Sequence, residues 1–245
     1  MTEHESRAAS EVGAATAASS IFRRAMGEEF ERLHPQLRRR FGVSLADGRG
    51  VVGLGVMDRM WHGTAGNRRL TAPLLRLGGH RHLVPPVARG RVPFLIENYP
   101  YVDPHGREAV SFVRTFAVGS RQHRFDATMV YCDRRGAVVD YLGAHHDFGV
   151  DLSFTALPDG ALQIRTSGFR VYAGPIAGTL PAVLTGRALV RESFDEAIGC
   201  FRIDVRVTNP VVGPLFGYEG RFSMRSVDAD RLPSQVRPVR AERRM

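Results

Sequence analysis

The sequence contains no lysine: all 34 of its basic residues are arginine, and the formal net charge is +9. Such a surplus fits a nucleic-acid partner when the cations cluster on one element with aromatic residues between them. Here the arginines are scattered, apart from residues 38–40 and the last residues of the chain. Because a uniform preference for arginine indicates biased composition, we expect no nucleic-acid partner and interpret the charge as an aid to solubility.

Long apolar runs and cysteines are also scarce. No run approaches the roughly 18 apolar residues of a transmembrane helix, and the N-terminus lacks the apolar core of a signal peptide. The two cysteines, Cys132 and Cys200, lack the spacing of a metal or redox motif, and both lie in strand-like runs. These features predict buried, reduced thiols in a soluble cytoplasmic protein with no membrane span.

Several catalytic signatures are absent as well. The sequence has no Gly-x-Gly-x-x-Gly after a strand, no P-loop, no Gly-x-Ser-x-Gly and no His-Glu-x-x-His. Nucleotide cofactors, the common hydrolases and zinc peptidases are therefore disfavoured, and we expect no cofactor.

One cluster contains residue types that bind metals: His145, His146, Asp147 and Asp151. Adjacent histidines of a strand point to opposite faces, so His123 or Asp126 would have to converge from another strand. Glycines bracket the cluster, which favours a surface loop, and we predict no metal site.

The chain is organised around many short strands. Apolar spacing predicts a helix from Ser20, its N-cap, to Pro35, a first strand over 50–61 and a short helix over 73–77. The further candidate strands are 92–99, 109–118, 122–132, 137–142, 149–157, 161–172, 187–197, 200–208 and 215–226. Asp159-Gly160 is a strong hairpin signal, and Gly168 indicates a bulge. This pattern is mainly β and predicts an antiparallel barrel, or a strongly curved meander sheet, with an N-terminal helix.

The division of the chain follows from the same pattern. We predict a disordered segment at 1–18, a single barrel-like domain over 19–226 and a charged C-terminal tail over 227–245. No internal repeat or linker between domains is evident.

Two charged residues interrupt the apolar faces of strands. Arg114 shares a face with Phe112 and Phe116, and Glu192 shares one with Val190 and Phe194. An inward charge costs several kcal/mol unless it is paired or hydrogen-bonded, so the two point to an internal polar pair or to a polar patch in a cavity.

Tyr218 is predicted to point inward by the same count, and its hydroxyl needs a partner. Arg114 could bind a carboxylate or an enolate oxygen while Glu192 or Tyr218 moves a proton. The alternative is a buried network that satisfies its own charges and closes the barrel. The candidate ligand contacts are Tyr99, Tyr141, His123 and Trp61, at strand ends and inside strands.

The second half of the sequence resembles a known family. The relevant stretches are 171–184, with its small apolar residues and Pro181, then Arg191-Glu192, the strand 199–205 and the segment Pro210 to Gly220. These segments resemble the bacterial domain-of-unknown-function 4166 family. Three further segments are similar to motifs of the same family: 32–35, 114–116 and 140–143. The resemblance covers roughly residues 20–225, although Asp140 stands where that pattern leads us to expect glutamate. It implies a fold more than a chemistry, since the family has no settled activity. Occasional fusion to dehydrogenase-like domains implies a metabolic setting.

These observations favour a binding barrel: a β fold that encloses a small apolar molecule, lipid-like or polyketide-sized, with a few polar anchors. The alternative is a cofactor-independent enzyme in the same pocket, such as an isomerase, cyclase or hydrolase, with Glu192 or a histidine as base and Arg114 as oxyanion partner. A third possibility is an interaction module with an arginine-rich face. The sequence decides neither between them nor on the oligomeric state.

Overall fold

The computed structural model describes residues 19–63, 85, 87–88, 90–173, 176–229 and 231–245. The segment 1–18 and the short helix predicted over 73–77 lie outside the described residues. No helix within these ranges is both long enough and apolar enough to cross a membrane.

The described chain forms eleven strands, which match the predicted ones closely except for β8, which the sequence did not reveal. They are β1 (Arg49–His62), β2 (Val92–Val102), β3 (Glu108–Val118), β4 (Arg121–Cys132), β5 (Ala137–Leu142), β6 (Phe148–Ala156), β7 (Leu162–Ala173), β8 (Ile176–Thr179), β9 (Arg187–Asp195), β10 (Cys200–Asn209) and β11 (Gly213–Asp228).

Ten of these strands close into an antiparallel barrel. The order is β6-β5-β4-β3-β2-β1-β11-β10-β9-β7, and pairing of β6 with β7 completes the ring, while β8 pairs with β7 outside it. The prediction of a mainly β, antiparallel barrel is confirmed. So are two of its local signals, because Gly160 lies in the β6–β7 turn and Gly168, with φ of 58°, lies where the β6–β7 register shifts.

Two short helices, α1 (Ile21–Met26) and α2 (Pro35–Phe41), cover one end of the barrel and are joined through a 3₁₀ turn over Gly27–Arg32. Ser20 caps α1 as predicted, accepting from the amide of Arg23 at 3.2 Å. The single predicted helix is nonetheless interrupted, because Gly27 adopts φ of 56° and Pro35 begins a new helix. Apolar side chains of both helices join the barrel core, including Phe22, Leu37 and Phe41.

The C-terminal residues 229 and 231–245, here called the strap, lie on the outer surface of β2–β5. Ser111 donates to the carbonyl of Val236 at 2.6 Å, and the Tyr141 hydroxyl donates to the carbonyl of Arg244 at 2.7 Å. Leu232 and Val236 of the strap belong to a second, outer apolar cluster with Tyr99, Tyr101, Ala109, Val113, Val130, Cys132, Val139, Tyr141 and Tyr172. This part of the wall is therefore buried on both faces.

Candidate functional site

The three inward candidates from the sequence all lie in the barrel interior. Arg114 on β3, Glu192 on β9 and Tyr218 on β11 retain 9%, 2% and 1% of their accessible surface. Their neighbours on the same strand faces, Phe112, Phe116 and Phe222, belong to the main core. Period-2 counting therefore placed these side chains on the correct side of the wall.

Glu192 is paired with an arginine that the sequence did not single out. Nε of Arg40, in α2, donates to one carboxylate oxygen of Glu192 at 2.8 Å. The same guanidinium donates to Oδ1 of Asn98 at 2.9 Å and lies 5.1 Å from the ring centre of Phe222. Glu192 thus helps to hold the helical cover onto the barrel, and its charge is matched by Arg40.

Arg114 is not joined to Glu192. Its guanidinium lies over the rings of Phe112 and Phe125, at 4.9 and 5.1 Å, and its Nε is buried without a hydrogen-bond partner in the described chain. Contacts with aromatic faces partly offset the lost hydration of the cation but do not satisfy its N–H groups.

Asp140 on β5 is the carboxylate associated with Arg114. It lies on the inner face with Val138 and Leu142, which both contact the main core, and it retains 7% of its accessible surface. Burial raises its pKa to about 7, although the positive charge of Arg114 lowers it. Its Oδ1 has no hydrogen-bond partner among the described residues. Burial therefore favours the neutral form of Asp140 far more than that of an exposed aspartate.

Tyr218 completes the group. Its ring packs edge-on against Phe116 at 5.3 Å between centres, and its buried hydroxyl has no hydrogen-bond partner in the described part of the chain. Burial raises the pKa of Tyr218, the charge of Arg114 opposes that rise and Glu192 adds to it. We call Arg114, Asp140 and Tyr218 the inner polar set: three buried side chains, each with one polar atom lacking a partner.

A cleft lies between β7 and β9. The two strands pair only from Leu162–Arg165 to Leu189–Glu192, and beyond this stretch β7 pairs with β8 instead. The resulting cleft has a volume of about 570 Å³, and its lining includes the core residue Val150. Val150 is the strand partner of Asp140, so one lining residue of the cleft neighbours the inner polar set, although Arg114, Asp140 and Tyr218 do not line the cleft themselves.

The four predicted ligand contacts are not brought together. His123 lies on β4 opposite Phe116, at the end of the barrel away from the helices. Tyr99 and Tyr141 belong to the outer cluster. Trp61 lies against Gly217 of β11. Because the neighbours of Gly217, Phe216 and Tyr218, point inward, Gly217 and Trp61 lie on the outer face. Only His123 shares the inner face with the inner polar set.

Of the two histidines after β5, only His146 lies under the strap, where its Nδ1 accepts from the amide of Glu242. His145 is exposed, whereas His146 is buried with a φ of 53° and stacks on Tyr141 at 5.1 Å. Its Nε2 lies 2.9 Å from the hydroxyl of Thr128, and burial lowers its pKa to about 4. Among the described residues no three His, Cys, Asp or Glu side chains converge as metal ligands would. Cys132 and Cys200 are both buried and unpaired, as predicted.

The sequence reasoning missed two residues of the interior. Asp140 carries the same signal as Arg114, a charge on an apolar face between Val138 and Leu142, and the same count would have found it. Arg40 carries no such signal. It ends a run of three arginines, and nothing in the sequence shows that only this one is fully buried.

Comparison with known proteins gives the chain a family. The model of the "Domain of unknown function (DUF4166)" family matches residues 33–222. The chain is 32% identical over 207 residues to a protein of Bacillus subtilis (strain 168), "Uncharacterized protein YndH", and the match covers 83% of this chain and 96% of that protein. No solved structure matches the chain. The inner polar set and the cleft lie almost wholly within the matched residues, and the chain belongs to the DUF4166 family.

Proposed function

We propose that the barrel binds a small, mostly apolar molecule whose polar end reaches the inner polar set. The observation that carries this proposal is that, of the five buried side-chain polar atoms without partners among the described residues, three lie in the barrel interior: Nε of Arg114, Oδ1 of Asp140 and the hydroxyl of Tyr218. A binding site of this kind needs a few polar groups on an apolar lining, which is the composition found here.

The energetic argument is simple. Each buried donor or acceptor left without a partner costs about 1–3 kcal/mol, and native proteins retain few of them. Three such atoms on three different strands, β3, β5 and β11, form a concentration that a bound polar group would satisfy. The surrounding side chains are apolar, among them Phe112, Phe116 and Phe125, so the rest of the molecule would lie against hydrocarbon.

We propose the cleft between β7 and β9 as the route from the surface, because its lining residue Val150 is the strand partner of Asp140. Its lining combines apolar side chains, such as Phe169 and Leu180, with the hydroxyl-bearing residues of β7 and β10. A volume of about 570 Å³ lies within the range of small-molecule sites, roughly 300–1,000 Å³.

Methyl NMR tests the proposal. Met129 is the strand partner of Asp140 and belongs to the core, whereas Met245 lies in the strap. Titration with dodecan-1-ol or dodecanoate should shift the ¹³C-methyl signal of Met129 saturably and leave that of Met245 unchanged. The proposal is wrong if neither probe shifts Met129, or if both methionines respond alike. Mass spectrometry of protein purified from its own host then identifies any molecule that copurifies.

A second candidate function rests on Asp140, a buried carboxyl group with an unpartnered oxygen among the described residues, whose pKa burial raises to about 7. A carboxyl group that titrates near neutrality can serve as a general acid or base, and such groups concentrate at active sites. In this reading Asp140 replaces Glu192 as the base, since Glu192 is held by Arg40, and Arg114 stabilises the enolate oxygen.

Exchange of hydrogen for deuterium distinguishes the enzyme from the binding protein. Asp140 would take a proton from the carbon next to the carbonyl of nonan-5-one in D₂O and return a deuteron to it. The enzyme hypothesis predicts exchange that rises with pH through about 7 and is lost in the Asp140→Asn variant. Equal exchange with and without the protein would leave binding as the function.

A further inference from the structure

We infer that the molecule bound in the barrel carries an oxyanion, in the simplest case a carboxylate, which Arg114, Asp140 and Tyr218 bind together. This inference rests on the proposed function and specifies its ligand class.

The balance of charge in the interior carries the first step. The fully buried charged or titratable groups of the described interior are Arg40 on α2, Arg114 on β3, Asp140 on β5, Glu192 on β9 and Tyr218 on β11. Partly exposed groups lie at its two ends: Glu108 and Tyr131 near the helices and His123 at the far end of β4. Arg40 and Glu192 form an ion pair at 2.8 Å. Arg114 has no ion-pair partner within 4 Å among the described residues, so the interior keeps an unmatched positive charge whenever Asp140 is protonated, the form that burial favours.

The second step concerns the direction of the hydrogen bonds. Arg114 is a donor only, and the Tyr218 hydroxyl has a proton to donate. Asp140 donates as well when it is protonated, and burial favours that neutral form. A group surrounded by these three side chains must therefore accept hydrogen bonds. A carboxylate accepts several and brings the charge that Arg114 lacks.

The alternatives fit less well. A primary alcohol could accept one or two of the bonds but would leave the cation without a counter-charge. A quaternary ammonium would place a second cation next to Arg114. The two positive charges would repel each other, and the guanidinium of Arg114 would remain without an acceptor. The inner polar set therefore selects for anions over neutral and cationic molecules of the same length.

The inference has a consequence for pH. A bound carboxylate is held best when Asp140 is protonated, because two adjacent carboxylates repel each other. Affinity should be highest between the pKa of the ligand and that of Asp140, which is about 7. Above that range it should fall by up to tenfold per pH unit, since binding then requires the uptake of one proton.

The test compares the binding of three probes of equal chain length: dodecanoate, dodecan-1-ol and dodecyltrimethylammonium, each below its micelle concentration at pH 6.5. We expect dodecanoate to bind at least tenfold more tightly than the other two. Arg114→Met should reduce the affinity for dodecanoate about 10- to 100-fold and leave that for dodecan-1-ol within about threefold. Tyr218→Phe should cost a smaller factor, about 3- to 10-fold.

Two further variants sharpen the result. Asp140→Asn keeps a donor at this position without the titrating proton, so it should retain affinity at pH 6.5 and abolish the decline above pH 7. Arg225→Met is the matched control, because Arg225 is an exposed strand arginine on β11 and its loss should change nothing.

The outcomes separate this inference from the proposed function. If dodecan-1-ol binds as tightly as dodecanoate and shifts Met129, the barrel is a binding protein and the oxyanion inference is wrong. If no probe binds, both are wrong. If Arg225→Met weakens dodecanoate binding as much as Arg114→Met does, the anion is held by the general surface charge, and the inference is again refuted. The comparison of probes on the unaltered protein does not depend on the folding of any variant.

Discussion

Replacement of Arg40 by methionine should destabilise the barrel by about 3–5 kcal/mol, because it leaves the carboxylate of Glu192 buried without its cation. Both side chains are almost fully enclosed, with 1% and 2% of their side-chain surface accessible. The change also removes the hydrogen bond to Asn98 at 2.9 Å and the contacts with the rings of Phe41, Phe112 and Phe222. Methionine retains most of the packing volume, so the loss reports on charge and hydrogen bonding.

Two comparisons make the magnitude informative. Replacing both members of the pair, Arg40→Met with Glu192→Leu, removes the buried charges together and should cost at least 2 kcal/mol less than the sum of the single changes. Arg39→Met is the control, since Arg39 is exposed on the same helix and its loss should stay within about 0.5 kcal/mol.

The assay is equilibrium unfolding in urea, followed by circular dichroism at constant pH. A cost below about 1 kcal/mol for Arg40→Met would refute the reasoning, and so would strict additivity of the two changes. Either result would mean that Glu192 finds another partner or reaches water, which its burial does not allow.

Three further predictions concern the strap and the strands. Burial lowers the pKa of His146 to about 4, so the free energy of unfolding should fall by up to roughly 3 kcal/mol as pH drops from about 6.5 to 4. Urea unfolding at each pH should show a smaller fall for His146→Asn, because asparagine does not titrate and tolerates the positive φ of residue 146. Hydrogen bonds from Arg244 and Arg240 lower the pKa of Glu242 to about 2, so Glu242→Gln should cost about 1–3 kcal/mol at pH 7, and the difference from the unaltered protein should vanish as pH falls from about 4.5 to 2. Gly55→Ala should cost at least 2 kcal/mol by thermal unfolding, because the added methyl group would overlap the carbonyl oxygen of Arg221. Gly178→Ala is the control and should be near neutral, since Gly178 has open space around it. Equal costs for the two changes would contradict the register of β1 with β11.

The fold could be predicted well from the sequence because several of its strands alternate clearly between apolar and polar residues. In β10 the apolar residues Phe201, Ile203 and Val205 are buried, while Arg202 and Arg206 between them are exposed. Such a pattern determines both the strand and its orientation. The helical cover was harder to predict, since Gly27 interrupts a run of apolar residues that is otherwise spaced for one helix.

The outer cluster could not be predicted from composition. Residues 138–142 are apolar on both faces except at Asp140, which indicates a strand covered on both sides. Its cover is the strap, whose arginines and prolines resemble a solvated tail. The strap is held largely through backbone carbonyls, such as those of Val236 and Arg244, and a carbonyl acceptor leaves no trace in the sequence.

The interior shows how far a single rule reaches. Alternation identified Arg114 and Glu192 as inward charges of opposite sign, and pairing them with each other was the simplest hypothesis. The structure instead places Arg40 against Glu192, because α2 enters the barrel from the end and alternation along strands carries no information about it. This arrangement changes the chemistry of the site: Glu192 is ion-paired with Arg40, Arg114 has no ion pair among the described residues, and the carboxyl group associated with Arg114 is Asp140, whose pKa burial raises to about 7. A ligand that meets Arg114 therefore meets a proton that can be taken up or released, which the pair predicted from the sequence would not have supplied.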